Sequence, residues 1–188
     1  EAEGVEDTIV FFGSARFTEG TKWYEAARAL SFRLTQWSKG LDPAGQRRFV
    51  VCTGGGPGIM EAANRGASEA QGRNVGLTIS LPHEEGVNKH VTRELSFHFH
   101  YFFMRKFWLA YMAKAVIVFP GGYGTLDELF EVLTLVQTKR MTKHMPIVLF
   151  GTEYWNEVIN FDTLVRYGTI AAEDVNLVHR TDSAEDAG

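Results

Sequence analysis

A doubly wound α/β domain, with a mostly parallel sheet and helices on both of its faces, is the fold this sequence predicts. Three observations point there. Short apolar runs without charge, TIVFF at 8–12, VVC at 50–52 and AVIVF at 115–119, read as strands buried on both faces. They alternate with longer stretches whose apolar residues recur at helical spacing. Loops of small residues directly follow three of the runs: Gly13-Ser14, Gly54 to Gly58, and Gly121 to Thr125. In a parallel sheet with right-handed crossovers those loops open at one edge, where ligands of such folds bind.

In order, Glu1–Asp7 is acidic and reads as a loose tail, and Thr8–Phe12 is the first strand. Thr21–Ser38 is a helix, with Trp23, Ala26, Ala27, Leu30, Leu34 and Trp37 on one side. Lys39–Gln46, with two glycines and Asp-Pro, is a turn, and Arg48–Cys52 is the second strand. The loop Thr53–Gly58 leads into a helix over Ile59–Gln71, and Asn74–Leu81 is the third strand. Pro82–Lys89 is a polar loop, Val91–Phe97 a strand, and Phe99–Ala113 a helix dense in aromatic residues. Ala115–Phe119 is a strand that Pro120 ends, and Thr125–Lys139 a helix with Leu126, Leu129, Phe130, Leu133 and Val136 on one face. A strand at Pro146–Phe150, a helix at Tyr154–Tyr167 and a short strand at Asn176–His179 complete the pattern. The whole predicts one Rossmann-like domain over 8–180, flanked by acidic tails at 1–7 and 181–188.

The totals exclude several classes. A net charge of −4 argues against broad nucleic-acid or anionic-membrane binding. The single cysteine, Cys52, lies in an apolar strand; it cannot form an internal disulfide and fits a reducing compartment. No apolar run is long enough to span a bilayer and no basic-then-apolar leader is visible, so a cytoplasmic location is expected.

The stretch AVIVFPGGYGTLDELFEVLTLVQTK at 115–139 organises the chain. Strand, glycine turn and helix together present free backbone N–H groups and the positive end of a helix dipole, a combination that binds phosphate. Glu128 has two readings there. It can close a capping box on Thr125, or it can be a carboxylate held beside a bound phosphate ester. TGGGPG at 53–58 has more small residues than a turn needs, which favours close approach of a ligand. It supplies no G-x-G-x-x-G, and neither loop continues into Gly-Lys-Ser/Thr. NAD binding and ATP hydrolysis are therefore disfavoured, and a nucleoside monophosphate fits better.

PGGYGTLDE at 120–128, GGGPGIM at 54–60 and the pair Arg105-Lys106 resemble the LONELY GUY family of phosphoribohydrolases, from about Thr8 to Phe150. Members release a free cytokinin or adenine base from a nucleoside 5′-monophosphate. The resemblance implies catalytic roles for Glu128 and Arg105. It implies a substrate site lined by Gly13, Ser14, Gly54, Gly55, Gly56, Gly58, Met60, Glu84, Met104, Arg105, Lys106, Pro120, Gly121, Gly122, Tyr123, Gly124, Thr125 and Glu128. It also implies a homodimer or larger homo-oligomer, here expected through the aromatic helix 99–113, and neither metal nor organic cofactor. Asp127 stands where many plant members carry Glu, FHFHYFF precedes Arg105, and the Pro82–Lys89 loop differs; these departures bear on the choice of base.

Some relatives have been labelled lysine decarboxylases. That chemistry needs a Schiff-base lysine, and Lys89, Lys106 and Lys114 stand in no Ser-x-His-Lys context. His98 and His100 alternate in an aromatic run without a further ligand nearby, and His83-Glu84 lacks the second histidine of HExxH, so no metal is expected. The rival class is a non-catalytic binder. Molybdenum-cofactor carriers are similar in fold and also use glycine loops, but they need not hold the motif glutamate.

Overall fold

The computed structural model describes residues 4–41, 46–79, 86–141 and 145–187. Seven strands form one sheet: β1 Thr8–Phe12, β2 Val50–Thr53, β3 Asn74–Ile79, β4 Ser96–Phe99, β5 Ala113–Val118, β6 Ile147–Phe150 and β7 Val178–Thr181. Their order is β4-β3-β2-β1-β5-β6-β7, and every neighbouring pair is parallel. The predicted doubly wound fold is what forms. The chain winds outward from β1 to β4, returns to lay β5 beside β1, and winds outward again. The reversal lies between β1 and β5, so a crevice opens at their carboxyl ends.

Alternate residues feed two cores. Val10, Phe12, Cys52, Val116, Val118 and Leu149 face one side, and Ile9, Phe11, Val51, Ile117 and Phe150 the other. Helices α1 (Lys22–Leu41) and α2 (Ile59–Glu69) cover the second side. Helices α3 (Phe102–Met112), α4 (Tyr123–Gln137), α5 (Thr152–Val158) and α6 (Phe161–Arg166) supply residues to the first. Cys52 is buried in that first core, and burial pushes its thiol up to about 12.

Several boundaries differ from expectation, each for a local reason. Helix α1 runs on to Leu41, and Lys39 ties its end to the carbonyls of Ala70 and Gln71 (2.9 and 3.2 Å). Strand β2 starts two residues late because Phe49 is left-handed (φ 54°), its N–H drawn to Asp7 Oδ1 at 2.5 Å. Residues 91–95 are not strand. A 3₁₀ turn at Arg93–Leu95 precedes β4, which takes Phe99 from the expected helix and pairs it with Ile79. The expected helix Tyr154–Tyr167 is two helices, broken where the Asn160 carboxamide caps α6 by accepting from Thr163 N–H (2.9 Å). The last strand falls two residues later than expected, after a 3₁₀ turn at Ala172–Leu177.

The chain ends are tied to the body further than the expected tails allow. Val5 and Asp7 are buried, Thr181 belongs to β7, Asp182 accepts from Thr152 N–H (3.0 Å), and Ala184 and Ala187 pack on the α1 side. Among the described residues no helix is long and apolar enough to cross a membrane.

Candidate active site

The three small-residue loops follow β1, β2 and β5 and therefore meet at one edge. They also touch. Ser14 N–H donates to Pro120 O (3.0 Å), and Ile59 N–H donates to Ser14 O (3.0 Å). Gly58 takes a left-handed φ of 70° there, and a side chain on it would collide with Ser14 and Ala15. The turn after β5 is held from behind, where Tyr154 Oη donates to Gly121 O (2.6 Å).

Helix α4 starts two residues earlier than its sequence suggests, with Gly122 as N-cap. Leu126 N–H is the first to find an acceptor within it, Gly122 O at 3.0 Å, so the amides of Tyr123, Gly124 and Thr125 are those a helix start leaves without an intrahelical partner. Thr125 is buried in the first turn, against Gly121, and does not cap. The capping-box reading of Thr125 and Glu128 is thereby overturned. Glu128 sits in the second turn of the helix, out of reach of an N-cap role.

Its partner is Arg105. Nη2 donates to Glu128 Oε1 at 3.1 Å, and the two side chains are only 13% and 15% exposed. Burial pushes the Glu128 carboxyl up to about 7. Arg105 pulls against that shift, Asp127 adds to it, Lys106 opposes it and Glu131 adds to it. The Arg105 guanidinium also lies against the glycine loop and over the ring of Phe102, 5.5 Å from its centroid. A Cβ on Gly54 would stand 3.1 Å from Nη1 and 2.9 Å from Met60 Sδ, so the bare glycine is what admits the arginine. Arg105 Nε is buried without a partner among the described residues, a donor left over for an acceptor in the crevice.

Thus Gly54, Met60, Arg105 and Glu128 converge, and Ser14, Gly58 and Pro120 meet where the loops touch, with Gly13 against Ile59 and Gly121 against Thr125. Gly55 and Gly56 belong to the same loop. Gly122 and Gly124 are exposed at the mouth, Tyr123 is 94% exposed, and Met104 is exposed on α3. Lys106 is turned elsewhere: it pairs with Asp127 and with Glu131 (3.3 Å), locking α3 to α4. Glu84 lies outside the described residues. His98 Nδ1 is 2.9 Å from Thr78 Oγ1, and its ring meets that of His100 edge-on at 5.9 Å.

Sequence reading missed a set of buried polar residues under the glycine loop. Thr53 Oγ1 donates to Asn64 Oδ1 (2.7 Å) and accepts from Gly55 N–H (2.9 Å). Asn64 Nδ2 donates to Asn74 Oδ1 (2.9 Å) and Val75 O (3.3 Å). The available signal was Asn64 itself, a polar residue set among alanines on the helix face that had to be buried.

A family model described as "Possible lysine decarboxylase" matches residues 60–188. The chain is 29% identical over 184 residues to a "Probable cytokinin riboside 5′-monophosphate phosphoribohydrolase" of Oryza sativa subsp. japonica, covering 95% of this chain and 80% of that protein. A second protein of that name from the same organism is 31% identical over 143 residues, 73% of this chain and 55% of its own length. Among solved structures, the molybdenum cofactor binding protein of Rippkaea orientalis superposes with a TM-score of 0.67 at 19% identity, over 97% of this chain and 93% of that one, a likeness of fold. The family model spans most of the chain, and its match stands beside relatives that carry the phosphoribohydrolase name. This chain therefore belongs to the LONELY GUY family, the family that model describes.

Proposed function

We propose that this protein hydrolyses the N-glycosidic bond of a nucleoside 5′-monophosphate, a cytokinin riboside 5′-monophosphate or AMP, giving the free base and ribose 5-phosphate. The observation that carries the reading is the buried Arg105–Glu128 pair, set between the Gly54 loop and the start of α4. In this reading the amides of Tyr123, Gly124 and Thr125 hold the phosphate, helped by the helix dipole. Anchored there, the sugar lies across Glu128. As the C1′–N bond breaks, the ribose becomes cationic, as in glycoside cleavage. The Glu128 carboxylate stabilises that cation and orients the water that attacks C1′. Arg105 fixes the carboxylate and lays positive charge near the departing base. Its own proton is too firmly held to be donated, so Glu128 takes the proton that the attacking water loses and solvent water supplies the one with which the base leaves.

Lysine chemistry has little support. Lys106, which stands beside the site in sequence, is committed to Asp127 and Glu131. A cofactor-carrier role shares the fold but leaves a buried carboxylate with no task. Incubating the protein with AMP, and separately with a cytokinin riboside 5′-monophosphate, tests the proposal. Release of the base and ribose 5-phosphate is expected; substrate recovered unchanged from both refutes it.

We further propose that two copies associate through α3. Phe103, Phe107 and Tyr111 on the helix, and Tyr101 at its N-cap, are each exposed by half or more. A hollow of about 370 Å³ lined by Leu77, Phe97, Phe99, Trp108 and Met112 flanks it on one side. A groove of about 420 Å³ beside Phe107, Leu135 and Met141 flanks it on the other. An aromatic ridge between an apolar hollow and a groove that also holds Glu131 and Arg140 is a surface suited to pack against a copy of itself.

A further inference from the structure

The connection between β3 and β4 reaches back over the glycine loop at Val87 and Asn88. Asn88 Nδ2 lies 3.1 Å from Gly55 O, 3.0 Å from Gly56 O and 3.0 Å from Asn64 Oδ1. The Asn88 backbone N–H donates to Gly55 O as well, at 2.8 Å. Its Oδ1 accepts from His90 N–H (3.2 Å), which fixes the carboxamide the right way round for those bonds. The loop is thus gripped by its carbonyls, and the grip continues through Asn64 into Thr53, Asn74 and β3.

The grip dictates where the loop's donors point. In a planar trans peptide C=O and N–H are antiparallel. With Gly55 O turned in to Asn88, the N–H of Gly56 is turned away from the clamp. Gly55 N–H is occupied by Thr53, and Pro57 brings no N–H. Of residues 55 to 57, Gly56 alone has an amide to offer a ligand. The same loop, one residue earlier at Gly54, is the surface on which the Arg105 guanidinium lies.

We propose that Asn88 is a positioning residue of the site: by holding the carbonyls of Gly55 and Gly56 it aims the Gly56 N–H at an oxygen of the bound nucleotide. Asn88 itself touches no substrate. The inference rests on the nucleotide reading given above.

The test compares wild type with Asn88→Ala and Asn88→Asp for AMP affinity by calorimetry, kcat and KM for AMP cleavage, and thermal midpoint. Aspartate keeps the size, the backbone bond and the acceptor for His90, but sets an oxygen where Nδ2 grips two carbonyls. Both variants are expected to bind AMP about tenfold more weakly, the weight of one hydrogen bond to a charged group. KM should rise in proportion, kcat should hold within about threefold, and Asn88→Asp should be at least as impaired as Asn88→Ala. A merely structural residue behaves otherwise: the midpoint falls while KM of the folded protein stays at the wild-type value, and that result overturns the inference. Should neither variant fold, Asn88→Ser replaces them, with the same rise in KM expected and an unaltered KM again decisive against. A wild type that binds neither AMP nor a cytokinin riboside 5′-monophosphate removes the nucleotide reading and this inference together; if only the latter binds, it takes the place of AMP in every comparison. A wild type that binds and cleaves AMP, beside variants with unchanged KM, removes this inference alone.

Discussion

Glu128 is held where burial works against its ionised form. Its carboxyl is raised from an ordinary 4.5 to about 7 by burial, against the pull of Arg105. For an acid whose folded value is raised, the stabilising contribution is complete below the unfolded value and is lost as pH climbs through the folded one. The protein should therefore lose stability relative to Glu128→Gln between about pH 4.5 and pH 7, by on the order of 3 kcal/mol. Urea titrations of both proteins at pH 5 and pH 8 check this; parallel behaviour at the two pH values would refute it. The same variant should lose about 10²–10⁴-fold in AMP turnover, the range expected for a missing acid–base group. If the ionised carboxylate is the working form, kcat/KM should rise with pH along a limb centred near 7, above the second ionisation of the substrate phosphate at about 6. A rate–pH profile with its midpoint near 4.5 would show that Glu128 is not the group titrating.

At the scale of elements, the glycine loop depends on α2 for its shape. Asn64 is fully buried and connects Thr53, Asn74, Val75 and Asn88. Asn64→Ala would leave several buried polar groups unpaired, at about 1–3 kcal/mol for each group that water cannot reach. A loss of roughly 2–4 kcal/mol by chemical denaturation is expected; a change under 0.5 kcal/mol, the size of a surface substitution, would contradict the role given to this network. Little of this was legible in the sequence. Strands β1, β2, β5 and β6 were, because a charge-free apolar run has few alternatives, and so was the placing of the small-residue loops after them. The start of α4 was not. Thr125 looks like a cap, but two residues of ordinary helical backbone precede it, so of the two readings of Glu128 the capping box has no place to form. The division between α5 and α6 was written in Asn160, a good capping residue inside an otherwise helical run. The Arg105–Glu128 contact spans 23 residues and two helices, so spacing alone could not supply it. The family motif could.

For the whole molecule, the question is what covers α3. Phe103 is 67% exposed and Phe107 51%, more apolar surface in one place than a monomer ordinarily leaves to water. The 21.1 kDa chain should sediment as a dimer or a larger assembly. Phe103→Glu with Phe107→Glu should return it to monomer mass in analytical ultracentrifugation, while the far-ultraviolet spectrum is kept. A wild type that sediments as a monomer would contradict the proposed interface.

Cys52 offers a built-in gauge of this architecture. It is the chain's one sulfhydryl, it is 2% exposed, and it lines the apolar hollow beside α3 together with Trp108 and Met112. An alkylating reagent has a path to it through that hollow, so the rate of modification in native buffer reads how open this side of α3 is. A second copy seated on α3 should slow that modification as protein concentration rises. Assembly could then be followed by thiol protection alone, before any turnover is measured.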